Sequence, residues 1–347
     1  MRLLMITRKV DQNEHLAGFI YNWVKKIGEQ VDELIVISWQ EGDSSGLPDN
    51  IKVHHLPTKA NKIFKVLKFK KLVLANISKV DGVFCHQMPI YTILAAPIAR
   101  LWGKKIISWY AHGAVNLGVK LMEKSTNEVI TSSDKGFRMN SQKKVILQQG
   151  IDTDLFSPVA DKLNDGVTRL ITVGRISPTK DYDSMIKAVD ILVDGGMTNI
   201  KLLIIGGAGL GDQRIYFENL KQMAGAMKIV DKIEFLGEVK NTDIPKYLQQ
   251  SDIFLNMSQT GSLDKAILEA MACECIPLTA NEAYRDILPS RLITSANQPR
   301  MLADKIKWLM SVPEQDKQKI KSDLRLQVIA NHNLDKLVIR IVNQFKI

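Results

Sequence analysis

Short β-branched apolar runs alternate with amphipathic stretches along almost the whole chain, and this alternation constrains the fold more than any other feature. Strands that read apolar on both faces must be covered on both, and a crossover helix after each strand does this in a parallel sheet. The first series has runs at residues 3–7, 33–38, 51–56, 82–85, 105–110, 128–131 and 144–148, with helical stretches at 15–27, 60–78, 91–102 and 133–139. Residues 150–166 carry Pro158 and many Asp and Asn residues and read as a linker. A second series follows, with strands at 168–173, 199–205, 232–236, 253–256 and 276–279 and helices at 182–193, 213–226, 243–249 and 264–272. Residues 300–310 and 316–345 read as helical. The expectation is α/β: two Rossmann-like, doubly wound parallel-sheet domains with a helical C-terminal tail. Such sheets bind ligands at the C-terminal ends of their strands, so both domains would present loops to a central cleft.

A length of 347 residues suits two domains. With 45% hydrophobic and 24% charged residues, the chain is not disordered, collagen-like or a disulfide scaffold. No apolar run approaches the roughly 18 residues of a membrane span. The opening residues Met1-Arg2-Leu3-Leu4-Met5-Ile6-Thr7 lack a signal peptide's long apolar stretch and read as a strand. The expected location is the cytoplasm, or its membrane face. Cys85, Cys273 and Cys275 form no framework and no zinc spacing, and are expected to be buried structural thiols.

The charge is unevenly placed. Residues 1–150 hold 22 Lys and Arg against 12 Asp and Glu, whereas residues 151–347 hold 25 of each. The excess is densest between Lys59 and Lys71, where six lysines alternate with apolar residues. On a helix, Ile63, Val66, Leu67 and Leu74 fall on one face. That face would serve as an ordinary core face, or as a contact with an anionic membrane or an acidic substrate. No nucleic-acid motif or aromatic platform accompanies the charge, so nucleic acid is not an expected partner.

Three clusters could carry chemistry. In Val173-Gly174-Arg175-Ile176-Ser177-Pro178-Thr179-Lys180, two cations follow a strand and precede a helix. This arrangement suits a phosphate, or is an exposed basic loop. In residues 260–272, a loop of small residues opens a helix near Asp264, with Glu269 in its second turn among Ala and Met. A carboxylate there needs a ligand or a structural partner. Third, His112 follows the strand ending at Tyr110, as a structural residue or a site residue. Gly206-Gly207-Ala208-Gly209 lies between a strand and a helix, without the GxGxxG or P-loop spacing.

Taken in order, these pieces resemble the retaining GT-B glycosyltransferases of family 4, the glycosyl transferases group 1. The likeness rests on Gly150-Ile151-Asp152-Thr153-Asp154-Leu155-Phe156, Val173-Gly174-Arg175 with Lys180, Leu203-Ile204-Ile205-Gly206, Ile233-Glu234-Phe235-Leu236-Gly237, Ser251-Asp252-Ile253-Phe254-Leu255 and Leu268-Glu269-Ala270-Met271-Ala272-Cys273. Over residues 1–145 it is looser, resting on the first strand, Gly18-Phe19 and Ala111-His112-Gly113.

The resemblance implies an acceptor-binding domain at 1–155, a donor-binding domain at 156–330, and a helix at 331–347 packing back on the first. It implies a metal-independent hexosyltransferase that moves a sugar from a nucleotide-diphosphate sugar to a glycan or lipid-linked acceptor. Cell-surface polysaccharide, lipopolysaccharide or glycolipid synthesis would be its setting. The alternatives are a catalytically silent nucleotide-sugar-binding partner subunit, or another GT-B enzyme such as a nucleotide-sugar epimerase.

By the same resemblance, Arg175, Lys180, His112 and Glu269 are the catalytic set. Gly174, Gly206, Phe235, Gly237, Gly261, Ser262, Asp264, Lys265 and Ala266 line the donor. The charged loop after the first strand puts Asp11 and His15, with Gly18, at the acceptor. The family's E-x7-E motif keeps only its second acid, Glu269, because Gly261 stands at the first. Asp264 is expected to supply a carboxylate instead. Glu274 replaces a family glycine. Asp152-Thr153-Asp154 spells a metal motif of another fold, but sits in the linker motif and is expected to be structural.

Overall fold

The computed structural model describes residues 1–14, 18–209, 211–258 and 261–346. Two compact units result: Met1–Asp152 with Asn333–Ile347, and Thr153–His332.

The first unit is a seven-stranded sheet of β1 (Arg2–Lys9), β2 (Glu33–Gln40), β3 (Ile51–His55), β4 (Gly82–His86), β5 (Lys105–Trp109), β6 (Glu128–Thr131) and β7 (Lys144–Ile146). Its order is β3-β2-β1-β4-β5-β6-β7, and every pairing is parallel. Strand alternation divides the core. Leu3 and Met5 face α1 (Phe19–Gly28), while Leu4 and Ile6 face α2 (Lys62–Ile77) and α3 (Pro89–Leu101). A further helix, α4 (Leu117–Ser125), packs beside α3.

Two helical expectations change here. Residues 133–139 hold only a 3-10 turn, Asp134–Gly136, because the Ser133 hydroxyl accepts from the Gly136 amide at 3.1 Å and closes the turn. The helix forms earlier, as α4, where the Asn116 side chain accepts from the Val119 amide at 3.0 Å. Its signal was weak because only Val119 and Met122 are buried, while Leu117 and Leu121 are exposed.

The second unit carries β8 (Thr168–Val173), β9 (Ile200–Ile205), β10 (Ile233–Gly237), β11 (Ile253–Asn256) and β12 (Ile276–Thr279). Their order is β10-β9-β8-β11-β12, again all parallel. Helices α5 (Tyr182–Asp194), α6 (Asp212–Ala226), α7 (Ile244–Gln249) and α8 (Lys265–Ala272) connect the strands, and α9 (Pro299–Ser311) and α10 (Glu314–Asn331) follow.

The tail is not one helix. It breaks after α10 and restarts as α11 (Leu334–Asn343), with the Asn333 side chain accepting from the Lys336 amide at 3.0 Å. The Leu334 amide donates to the Ile151 carbonyl at 2.8 Å, and Leu337, Val338 and Ile341 join Trp23 and Val24 in the first unit's core. All three cysteines are free and buried. Burial pushes the Cys85 and Cys273 thiols up to about 12, which leaves them unreactive near neutral pH.

Candidate active site

The C-terminal ends of β8, β9 and β10 come together through bare backbone. The Gly174 amide donates to the Ile205 carbonyl at 2.9 Å, and the Gly206 amide to the Gly237 carbonyl at 2.8 Å. A Cβ placed on Gly206 would lie 1.9 Å from the Gly174 oxygen, and Gly206 has φ of 148°. Only glycine fits there. The buried Tyr182 hydroxyl, at the start of α5, donates to the Gly174 carbonyl at 2.8 Å and fixes this edge.

The cations sit on the loop that leaves Gly174. Arg175 is exposed, with no acidic partner among the described residues. Lys180 is half-buried and forms an ion pair with Asp264 through Nζ and Oδ2. That same oxygen accepts from Asn256 Nδ2, at the end of β11, at 2.9 Å. Asp264 is also the N-cap of α8: its Oδ1 accepts from the Ala266 amide at 3.4 Å, and its carbonyl accepts from the Tyr284 hydroxyl at 2.7 Å. One carboxylate thus ties the β8 loop, the β11 end and the α8 start together. Burial pushes the Asp264 carboxyl up, but Lys180, Asn256 and the Ala266 amide outweigh it and hold the group below its usual range.

Behind this knot, Lys265 and Glu269 lie four residues apart on α8. Glu269 is buried. Burial pushes its carboxyl up and pushes the Lys265 ammonium down, while their mutual attraction opposes both shifts. Glu269 therefore combines strong desolvation with a nearby cation, an arrangement common at functional sites.

The remaining residues expected at the donor also lie at this end of the second sheet. Gly261 is buried with φ of 68°, a left-handed backbone that disfavours the acid found there in the family pattern. The Ser262 carbonyl accepts from Asn281 Nδ2 at 2.8 Å. Phe235 meets Phe217 edge-on at 5.3 Å, and Gly237 follows a register shift in β10 with open space beside its Cα. Asn256, Asn281, Tyr182 and Tyr284 were not expected. A polar residue closing an apolar strand, as Asn256 closes β11, was the available signal.

The residues expected in the first unit form two separate groups. His112 is exposed, with its ring 5.6 Å from that of Tyr110. Its loop is anchored at Gly113, whose amide donates to the Gly136 carbonyl at 2.9 Å. The loop after β1 is internally neutralised: Lys9 lies 2.8 Å from Asp11 and 2.6 Å from Glu14, with Arg8 at 3.7 Å from Glu14. Burial pushes Asp11 up, but Lys9 and the Asn13 amide outweigh it and hold it below its ordinary value. Gly18 is the N-cap of α1, with helical backbone. His15 lies outside the described residues. The buried His86, at the end of β4, was not expected. Its ring lies 4.8 Å from that of Trp23, and its Nδ1 lies 3.1 Å from Thr7 Oγ1.

Comparison with known proteins bears on the fold. Residues 157–323 match the family of glycosyl transferases group 1. Mannosylfructose-phosphate synthase of Agrobacterium fabrum is 25% identical over 136 residues, 37% of this chain and 30% of its own length. A human phosphatidylinositol N-acetylglucosaminyltransferase subunit is 25% identical over 319 residues, 80% of this chain and 61% of its own. The chain thus spans under two thirds of these relatives. The crystal structure of Anabaena Alr3699/HepE in complex with UDP and glucose superposes with a TM-score of 0.81 at 15% identity, covering 100% of this chain and 99% of that one. At that identity the likeness speaks for the fold. What these comparisons show of this chain is its fold, the two Rossmann-like domains of GT-B, with the match to the glycosyl transferases group 1 family confined to residues 157–323.

Proposed function

We propose that the protein is a retaining glycosyltransferase that moves a sugar from a nucleotide-diphosphate sugar to an acceptor hydroxyl without a metal ion. The observation that carries this reading is the unequal state of two cations on one loop. Lys180 is held by Asp264, while Arg175 is exposed beside it, with no acidic partner among the described residues.

As the bond from the anomeric carbon to the β-phosphate oxygen breaks, negative charge grows on the diphosphate. Fixed cations stabilise that charge without reorganising. Arg175 and Lys180 take this part, with the α8 N-terminus at Lys265 and Ala266 adding its dipole. Asp264 positions Lys180, because its oxygens already accept from Lys180, Asn256 and Ala266. Glu269 accepts from a ribose or donor-sugar hydroxyl. Phe235 and Gly237 flank the base, and Gly174, Gly206, Gly261 and Ser262 leave room for the donor. His112 serves the sugar from the first unit, with Asp11, His15 and Gly18 on the acceptor side. Retention follows from front-face attack, in which the departing phosphate takes the acceptor's proton. A lipid-linked or glycan acceptor in cell-surface polysaccharide or glycolipid synthesis fits the basic first unit. The human relative, named for phosphatidylinositol, supports that choice.

The test is thermal stabilisation by UDP, GDP, ADP, CMP and their sugar conjugates, with and without EDTA. Binding stabilises the folded state by RT ln(1 + L/Kd), where L is the free ligand concentration, and so raises the melting temperature. The expected result is a shift with one nucleotide family that EDTA leaves intact and Arg175→Ala abolishes. A shift with none of them, or one that EDTA removes, overturns the reading.

A further inference from the structure

We infer that the face of the first unit formed by α2, α3 and α4 docks on an anionic lipid bilayer, with α2 lying in the interface plane. This inference stands independently of the donor chemistry.

Its first support is charge. Residues 59–125 contain 12 Lys and Arg and only two acids, Asp81 and Glu123. The balance equals the formal excess of the whole chain, +10. The three helices that dominate this segment lie side by side, α2 on α3 and α3 on α4. Eight of the twelve cations lie on these helices, five of them on α2, whereas Lys105 turns to Glu128 and the Gln344 carbonyl.

The second support is the orientation of α2. Its buried stripe is Lys65, Phe69, Val73, Asn76 and Ile77, packed on the sheet. Lys65 reaches inward, its ammonium 5.5 Å from the Trp39 ring centroid. The apolar stripe read from the sequence points the other way: Ile63 is 76% exposed and Leu67 62%, and Phe64 and Leu74 are exposed as well. The core-face expectation for this stripe is therefore wrong. A helix in water hides its apolar residues and exposes its charges, whereas α2 buries a lysine and presents four large apolar side chains among lysines.

The neighbouring helices expose large apolar side chains as well. Leu101, at the end of α3, is 86% exposed, and Trp102 beside it is exposed. On α4, Leu117 is 72% exposed.

A bilayer interface fits both halves of this surface. The apolar side chains enter below the headgroups, the lysine stems follow them, and the ammoniums meet lipid phosphates. Trp102 suits the headgroup level. An acidic protein or a nucleic acid would satisfy the lysines and leave Ile63, Leu67, Leu74 and Leu101 in water.

The test is co-sedimentation of the full chain with phosphatidylcholine vesicles, with and without phosphatidylglycerol, at low and high salt. The expected result is binding that needs the anionic lipid and weakens only in part at high salt, since salt screens the lysines and not the apolar contact. Ile63→Glu with Leu67→Glu should lower vesicle affinity at least about tenfold, because buried charge in an interface is costly. Lys62→Gln with Lys70→Gln and Lys71→Gln should lower binding to anionic vesicles alone. Each substituted side chain is exposed, so nucleotide-induced thermal shifts serve as the check on folding and on the donor site. The inference is overturned if the wild type ignores anionic vesicles at low salt. It is also overturned if the two-glutamate variant binds as the wild type does. A dimer in solution that this variant converts to monomer would assign the face to a second copy instead.

Discussion

The loop after β1 and the loop after β8 occupy equivalent places in their sheets, yet their charges are in opposite states. In the first, Lys9 and Arg8 are matched by Asp11 and Glu14, and the loop is nearly neutral. In the second, Lys180 is matched by Asp264, but Arg175 has no acid beside it among the described residues. A loop that satisfies itself gains little from an anionic ligand, while a loop with one cation held in place and another unmatched gains a great deal. Charged residues at a strand end therefore do not by themselves identify a site. What matters is whether the fold has already paired them.

Substitution can break this contrast. The largest effect is expected from Arg175→Ala and Lys180→Ala, each lowering donor-dependent turnover by about 10²–10³-fold, the scale of losing one fixed charge-stabilising group. Glu14→Ala, in the loop after β1, should leave turnover within about twofold, and steady-state kinetics on the three variants would collapse the contrast if Glu14→Ala fell as far as the others. Next is Gly206→Ala. Its new methyl meets the Gly174 carbonyl, and the variant should lose about 1–3 kcal/mol in urea unfolding, as overpacked sites do.

Asp264→Asn gives a smaller, pH-dependent effect of about 1–2 kcal/mol. The folded pKa of Asp264 is depressed, so its stabilisation is present above the ordinary carboxylate value of about 3.9 and is lost as pH falls through the folded value. Wild type should therefore lose more stability on acidification through that window than Asp264→Asn does. Equal acid limbs in the two unfolding profiles would show that Asp264 does not anchor Lys180 in solution. The smallest effect is at the far end of α8. Glu274 sits with φ of 59° where a helix commonly ends in glycine, and Glu274→Gly should raise stability by up to about 1 kcal/mol in thermal unfolding.

Much of the fold was legible because strand periodicity is local. All twelve strands named here begin and end within two residues of the runs read from sequence. Errors arose where a neighbour decided the outcome. The 133–139 segment closed into a turn on a serine hydroxyl, and α4 formed on an asparagine cap with only two buried side chains. The tail broke at Asn333, where α11 turns toward the first unit's core. On α2 the periodicity was real but the direction was reversed, since a stripe of apolar residues shows that a helix has a face and not what lies against it.

At the candidate site the same division holds. Gly174, Arg175, Lys180 and Glu269 stand out in the sequence because their types and spacing are local. The role of Asp264 was not legible there: its lone pairs accept from Lys180, Asn256 and Ala266, groups brought from a loop, a strand end and a helix start. Asn256 and Tyr284 likewise gain meaning only from what they touch.

The sequence by itself determined two parallel-sheet series, the glycine-marked strand ends, the cations after β8 and the concentration of positive charge in the first part, because each depends on residues near one another along the chain. Tertiary structure alone decided which of those charges are paired, which face of α2 meets water and which unit receives the tail. Pairing and burial depend on the groups that folding brings together from distant positions, and spacing along the chain carries no record of them.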